Sequence, residues 1–154
     1  MERDHRGVGT HTKVIPNEVF FEEVIKHLNL GKSVVFHVSG NSMLPFLKHG
    51  EKILLCPLKS DSPTVGEIIL SRSSYGIVLH RVVRIKNGKI WLAGDGNLAQ
   101  HEIVEKDQLL GVMTAVIRNG KNVYLDTKSK KILGLFWYYL RPFRIVFSKL
   151  FGIK

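Results

Sequence analysis

Three residues in this sequence, a serine, a histidine and an aspartate, stand where acyl transfer could be assembled. Ser42 lies in VSGNSMLPFLKHG, after a β-branched run and between Gly40 and Pro45. A serine hydroxyl becomes a nucleophile only when a base removes its proton and donors stabilise the oxyanion that follows. Small neighbours permit a tight loop whose N–H groups aim at a substrate carbonyl. Gly40, Asn41, Met43 and Pro45 are therefore the candidate oxyanion and substrate loop. His80, in GIVLHRVV, supplies an imidazole of the right kind to accept the serine proton. Asp95, in AGDGN, follows 15 residues later across an Asn87-Gly88 turn. An antiparallel return brings positions near 80 and 95 together, so a carboxylate there would orient the imidazole and stabilise its cation. Each residue alone has a plainer reading: a turn serine, a strand histidine, an Asp-Gly turn. Together, each at a strand end beside a glycine or a turn, they say more.

The elements that must position them are mostly strands. SVVFHVS (33–39), ILLCPL (53–58), GEIILS (66–71), GIVLHRVVRI (76–85), KIWLAG (89–94), QLLGVMTAVIR (108–118) and VYLD (123–126) are β-branched or aromatic runs separated by turn residues. Asn87-Gly88 and Asn119-Gly120 between apolar runs mark two hairpins. One helix precedes the strands. Asn17 is its expected N-cap, Val19, Phe20, Val24 and Leu28 fall at helical spacing, and Gly31 stops it. Residues 1–13 lack periodicity and are expected to be a flexible leader; they contain no signal peptide or anchor pattern. The body is then 14–127, and a basic, aromatic tail fills 128–154.

Charge separates body from tail. The chain of 154 residues has 23 Lys and Arg against 13 Asp and Glu, a formal charge of +10. Residues 118–154 hold nine basic groups and one acid, Asp126, so the tail region carries +8 and the first 117 residues only +2. A nearly balanced body argues against nucleic acid as the partner. Leu133 to Phe151 would span roughly 28 Å as one helix. Arg141, Arg144 and Lys149 would each cost about 2.5–3.5 kcal/mol near a bilayer centre, and Pro142 interrupts the helix. Arg141, Arg144, Ser148 and Lys149 share one arc, with Phe143, Val146, Phe147 and Leu150 opposite and Ile145 straying onto the polar side. With Trp137, Tyr138 and Tyr139 just before it, this pattern suits an anionic membrane interface better than a span. The plainer alternative is a helix packed on the body with its charges solvated.

The boxes VSGNSMLP, GEIILSRSSYGIVLHRVV and AGDGN followed by QLLGVM, in that order, resemble the serine peptidase group that contains the signal peptidases and the LexA-type autoproteases. The resemblance covers about Val34 to Val116. Histidine before Arg-Val-Val is similar to the endoplasmic-reticulum and archaeal type of signal peptidase, whereas typical bacterial and LexA-type enzymes use lysine. The resemblance implies a mainly antiparallel, partly barrel-like β fold, to which the residue spacing adds one N-terminal helix and a C-terminal amphipathic helix. It implies Ser42 as nucleophile, His80 as general base and Asp95 as orienting carboxylate. It also implies precursor or leader peptides as substrates, with small residues near the scissile bond. The chain departs from the pattern at three points. Gly40 stands where signal peptidases commonly have an oxyanion-donating serine, which leaves backbone N–H groups, chiefly that of Ser42, for the oxyanion. His101 and Glu102 stand where the endoplasmic-reticulum type has a further aspartate; Glu102 could substitute for it, but the expectation stays with Asp95. The usual N-terminal anchor is missing, so the enzyme is expected on a membrane through its tail, peripherally and on the cytoplasmic face, or in the cytoplasm.

The remaining histidines show no metal-ligand spacing, and neither a metal nor a cofactor is expected. The single cysteine, Cys56, excludes an internal disulfide. LexA-type repressors place a DNA-binding helix-turn-helix ahead of the serine box, but only 41 residues precede Ser42, and no nucleic acid partner is expected. Two other functions remain open: a self-cleaving regulator, and a non-catalytic membrane- or partner-binding module on a peptidase fold.

Overall fold

The computed structural model describes residues 17–59 and 62–151, so the expected leader lies outside the described residues. Helix α1 (Asn17–Asn29) leads into strands β1 (Val34–His37), β2 (Lys52–Cys56), β3 (Ile68–Ser73), β4 (Gly76–Lys86), β5 (Lys89–Ala93) and β6 (Glu102–Val104). A short 3-10 turn precedes β7 (Leu109–Arg118) and β8 (Lys121–Tyr124), and two helices follow, α2 (Lys128–Tyr139) and α3 (Arg141–Phe151). The strands form one eight-stranded antiparallel sheet in the order β1-β2-β7-β3-β4-β5-β6, with β8 also on β7. It curls into a half-barrel, the mainly β architecture expected from the sequence.

Strand β7 organises the sheet. One of its edges pairs with β2 over Val112–Ile117, and the other is divided between β3 at the start and β8 at the end. Its core is correspondingly buried on both sides. Ile53, Leu55, Ile68, Leu70, Met113 and Val116 pack with Val24 and Leu28 of α1 and with Met43 and Leu47 of the serine loop. Ile69, Val82, Leu92, Val104 and Val112 form a second cluster. Alternation along β3 explains the division, because Ile68 and Leu70 serve the first cluster and Ile69 the second.

The tail is two helices rather than one. Leu140 separates them, and Pro142 follows at the second position of α3, where a missing N–H is tolerated. No helix among the described residues is long and apolar enough to cross a membrane. Helix α2 is fastened to the body at its first turn, where Lys131 Nζ contacts Glu67 Oε1 at 2.9 Å and Thr64 Oγ1 at 3.1 Å. One turn further on, Gly134 is buried against the guanidinium of Arg81. A Cβ at Gly134 would fall directly on the Arg81 Cζ.

On an exposed helix, replacing glycine by alanine gains about 1 kcal/mol of helix propensity. Here the sign should reverse: Gly134→Ala should lower stability by roughly 1–3 kcal/mol in urea denaturation, because the guanidinium beneath it is pinned and overpacking has no outlet. A variant as stable as the parent or more so would show that α2 is not seated on Arg81.

Candidate active site

Ser42 sits in the turn-rich loop between β1 and β2. Met43 beside it is buried in the first core cluster, while Asn41 and Pro45 are exposed and the Leu44-Pro45 peptide is cis. Burying Met43 anchors the loop and leaves the neighbouring hydroxyl half-exposed. Ser42 Oγ lies 3.1 Å from His80 Nε2, so the sequence-derived nucleophile and base are brought together across 38 residues. His80 itself is buried on β4.

The third member differs from the expectation. His80 Nδ1 is 2.7 Å from Glu102 Oε2, and both groups are buried. Gln100 Nε2 donates to the other Glu102 oxygen at 3.3 Å. Asp95 is engaged elsewhere: Arg81 donates from Nε to Oδ1 at 2.8 Å and from Nη2 to Oδ2 at 2.7 Å. The assignment of Asp95 as the group that orients His80 is therefore corrected in favour of Glu102.

The cause is one bulge. Close to the Asn87-Gly88 turn the ladder is regular, with Lys86 opposite Lys89 and Ile85 opposite Ile90. Extended without interruption, that register would set His80 opposite Asp95. Between Val82 and Arg84 the register shifts by one residue, so Val82 faces Leu92 and Arg81 faces Ala93. A shift of one residue reverses which side chains share a face. Asp95, two beyond Ala93, falls on the face of Arg81. Glu102 faces Leu92, Leu92 faces Val82, and Val82 is two residues from His80, so these four share the other face. Sequence reasoning missed β6 because EIV is only three residues long. In the strand Glu102 and Val104 face inward and Ile103 outward, a division that the acid-apolar-apolar triplet does not announce.

Asp95 has a structural role instead. Arg81 also donates to the Gly66 carbonyl at 2.8 Å and lies over the Phe46 ring, 5.2 Å from its centroid. Burial pushes the Asp95 carboxyl above its ordinary range, and the hydrogen bonds and charge of Arg81 pull against it without cancelling the rise. The backbone of the same loop is held by the tail: Trp137 Nε1 and Arg144 Nη1 donate to the Asp95 carbonyl at 3.0 and 3.1 Å, and Arg141 Nη2 donates to that of Gly94 at 2.9 Å. Desolvation lowers the pKa of both Arg141 and Arg144 from the usual guanidinium value. On its other side the loop supports the serine, since Gly96 N–H donates to the Ser42 carbonyl at 2.8 Å. Gly94 lacks a side chain for good reason: a Cβ there would lie 2.6 Å from that carbonyl oxygen.

Beside Ser42 and His80 opens a cleft of about 150 Å³ between Val38–Gly40 on one wall and Ile77–Leu79 on the other, floored by Met43 and Leu47. Gly40 thus lines the cleft. Strand β4 pairs with β3 along Gly76–Arg81 but with β5 only from Arg81 onward, so the second backbone edge of Ile77–Leu79 has no strand partner among the described residues. A half-exposed hydroxyl, a buried imidazole and a buried carboxylate in hydrogen-bonded series are the groups by which a serine can be deprotonated and then take the acyl group of a substrate, whose amine leaves with the proton. Searched against models of known families and against curated proteins, the chain matches none.

Asp95→Asn should leave the Arg81 charge buried and half-paired, lowering stability by about 3–5 kcal/mol in thermal or denaturant unfolding. Replacing both partners with apolar residues, Arg81→Met with Asp95→Leu, should recover much of that loss. Parental stability in Asp95→Asn would contradict the structural assignment of the pair.

Proposed function

We propose that this protein is a serine endopeptidase of the signal-peptidase type, cleaving extended precursor or leader peptides through an acyl-enzyme formed on Ser42. One observation carries the reading: Ser42 Oγ, His80 and Glu102 stand in line, with separations of 3.1 and 2.7 Å. His80 Nε2 takes the Ser42 proton as Oγ attacks the scissile carbonyl. Glu102, at Nδ1, fixes the ring and stabilises the imidazolium. Backbone N–H groups of the loop, chiefly that of Ser42, receive the oxyanion where Gly40 offers no hydroxyl. Collapse passes the proton from His80 to the leaving amine, and a water activated by the same imidazole hydrolyses the ester.

The free edge of Ile77–Leu79 supports an extended substrate, which can add to β4 as a further strand and direct alternate side chains into the cleft. The order of the serine, histidine and Gly-Asp boxes supports the signal-peptidase type, with Glu102 rather than Asp95 as the carboxylate. A peripheral place at a membrane surface, the cytoplasmic face preferred, belongs to the same reading.

Against a panel of precursor-derived peptides, Ser42→Ala and His80→Ala should each abolish cleavage while circular dichroism stays parental. Glu102→Gln, which keeps the shape and loses the charge, should lower kcat by roughly 10²–10⁴-fold. Full activity in Ser42→Ala would remove the nucleophile, and parental kcat in Glu102→Gln would return the third position to another group.

A further inference from the structure

The tail has two faces, and they point opposite ways from a helix merely resting on a protein surface. Its cationic side is turned inward. Arg141 is buried against Gly94, His101 Nε2 is 3.1 Å from Arg141 Nη1 and 2.8 Å from the Tyr138 hydroxyl, and Arg144 lies over the Trp137 ring while donating to Asp95. Ile145, which interrupts the polar arc in sequence, is half-buried on this inner side. The expectation that Arg141, Arg144 and Trp137 meet lipid is corrected by these contacts: all three are used up on the catalytic body.

The outer side is apolar and uncovered. Ile132, Phe136, Tyr139, Phe143, Phe147 and Leu150 follow one another at intervals of three or four residues and are all exposed, Phe143 and Leu150 at 73% and 74%. That spacing holds one stripe across both helices, and Arg144 N–H donates to the Leu140 carbonyl at 3.0 Å to join them. Exposed Lys128 and Lys130 border the stripe at one end and exposed Lys149 at the other, and neither helix contains an acidic residue. A second copy would bring the exposed Lys128, Lys130 and Lys149 of two such faces together with no acidic residue on either helix to meet them, which disfavours self-association through this face.

We propose that the outer face of α2–α3 is the docking surface for an anionic lipid bilayer, with the aromatic and aliphatic stripe inserted at the headgroup level and the bordering lysines on the lipid charge. Because the inner face grips the Gly94–Gly96 loop, docking holds the Ser42 cleft at a fixed distance from the bilayer. The proposal sharpens the peripheral placement above but does not need Ser42 to be a nucleophile, and its test uses a chain that cannot cleave.

The full chain carrying Ser42→Ala is sedimented with vesicles of phosphatidylcholine alone or mixed with phosphatidylglycerol. It should bind the mixed vesicles, with affinity falling about tenfold or more from low to high salt. Phe143→Ser, Phe147→Ser and Leu150→Ser together should abolish binding while circular dichroism stays parental. Lys128→Gln, Lys130→Gln and Lys149→Gln together should weaken it about a hundredfold and remove most of its salt dependence. Parental binding in the first triple variant, no binding by the Ser42→Ala chain, or a dimer dissolved by the same substitutions would overturn the proposal. Each of those results leaves the peptidase reading standing, and a parent chain that binds vesicles without cleaving peptides would fail that reading alone.

Discussion

A guanidinium at 2% exposure must have its charge met inside the protein, and the way Arg81 meets that demand shapes most of the molecule. Asp95 gives it two parallel hydrogen bonds, Gly66 a carbonyl, Phe46 an aromatic face and Gly134 the room to lie under a helix. Each partner comes from a different stretch of chain. One side chain thereby ties the start of β3, the serine loop, the loop after β5 and the C-terminal helices to the middle of β4.

The neighbour of Arg81 is His80. Successive strand residues point to opposite faces, so fixing one side chain fixes the plane of the other. β4 supplies a structural ion pair on one face and the Ser42-bonded imidazole on the other, each with its own buried carboxylate. This division keeps Glu102 available to the imidazole while Asp95 meets the guanidinium. It also links the tail to the Ser42–His80 pair: Trp137, Arg141 and Arg144 hold the Gly94–Gly96 backbone, and Gly96 in turn holds the carbonyl of Ser42.

The sequence made the Ser42–His80 pair legible because both residues stand in strongly patterned surroundings, a small-residue loop after one strand and the centre of a long apolar strand. The two Asn-Gly turns were legible for the same local reason, and both asparagines adopt the positive φ that such turns require, 51° at Asn87 and 50° at Asn119. The carboxylate was not legible, because its identity depends on a single-residue bulge near Val83 that no local propensity announces. The tail was half legible. Its amphipathic division was present in the residue spacing, but which face meets the body is decided by carbonyls of a loop some 45 residues away in sequence.

Under the proposed function the Ser42 hydroxyl is activated by His80, and reactivity toward an electrophile tests this without knowledge of the natural substrate. The parent chain is treated with a fluorophosphonate probe and the modified residue is located by mass spectrometry. The account predicts a single adduct on Ser42, formed far faster than on the denatured chain and lost in His80→Ala. Labelling no faster than in the denatured chain, or an adduct on Ser42 that forms equally well without His80, would contradict it.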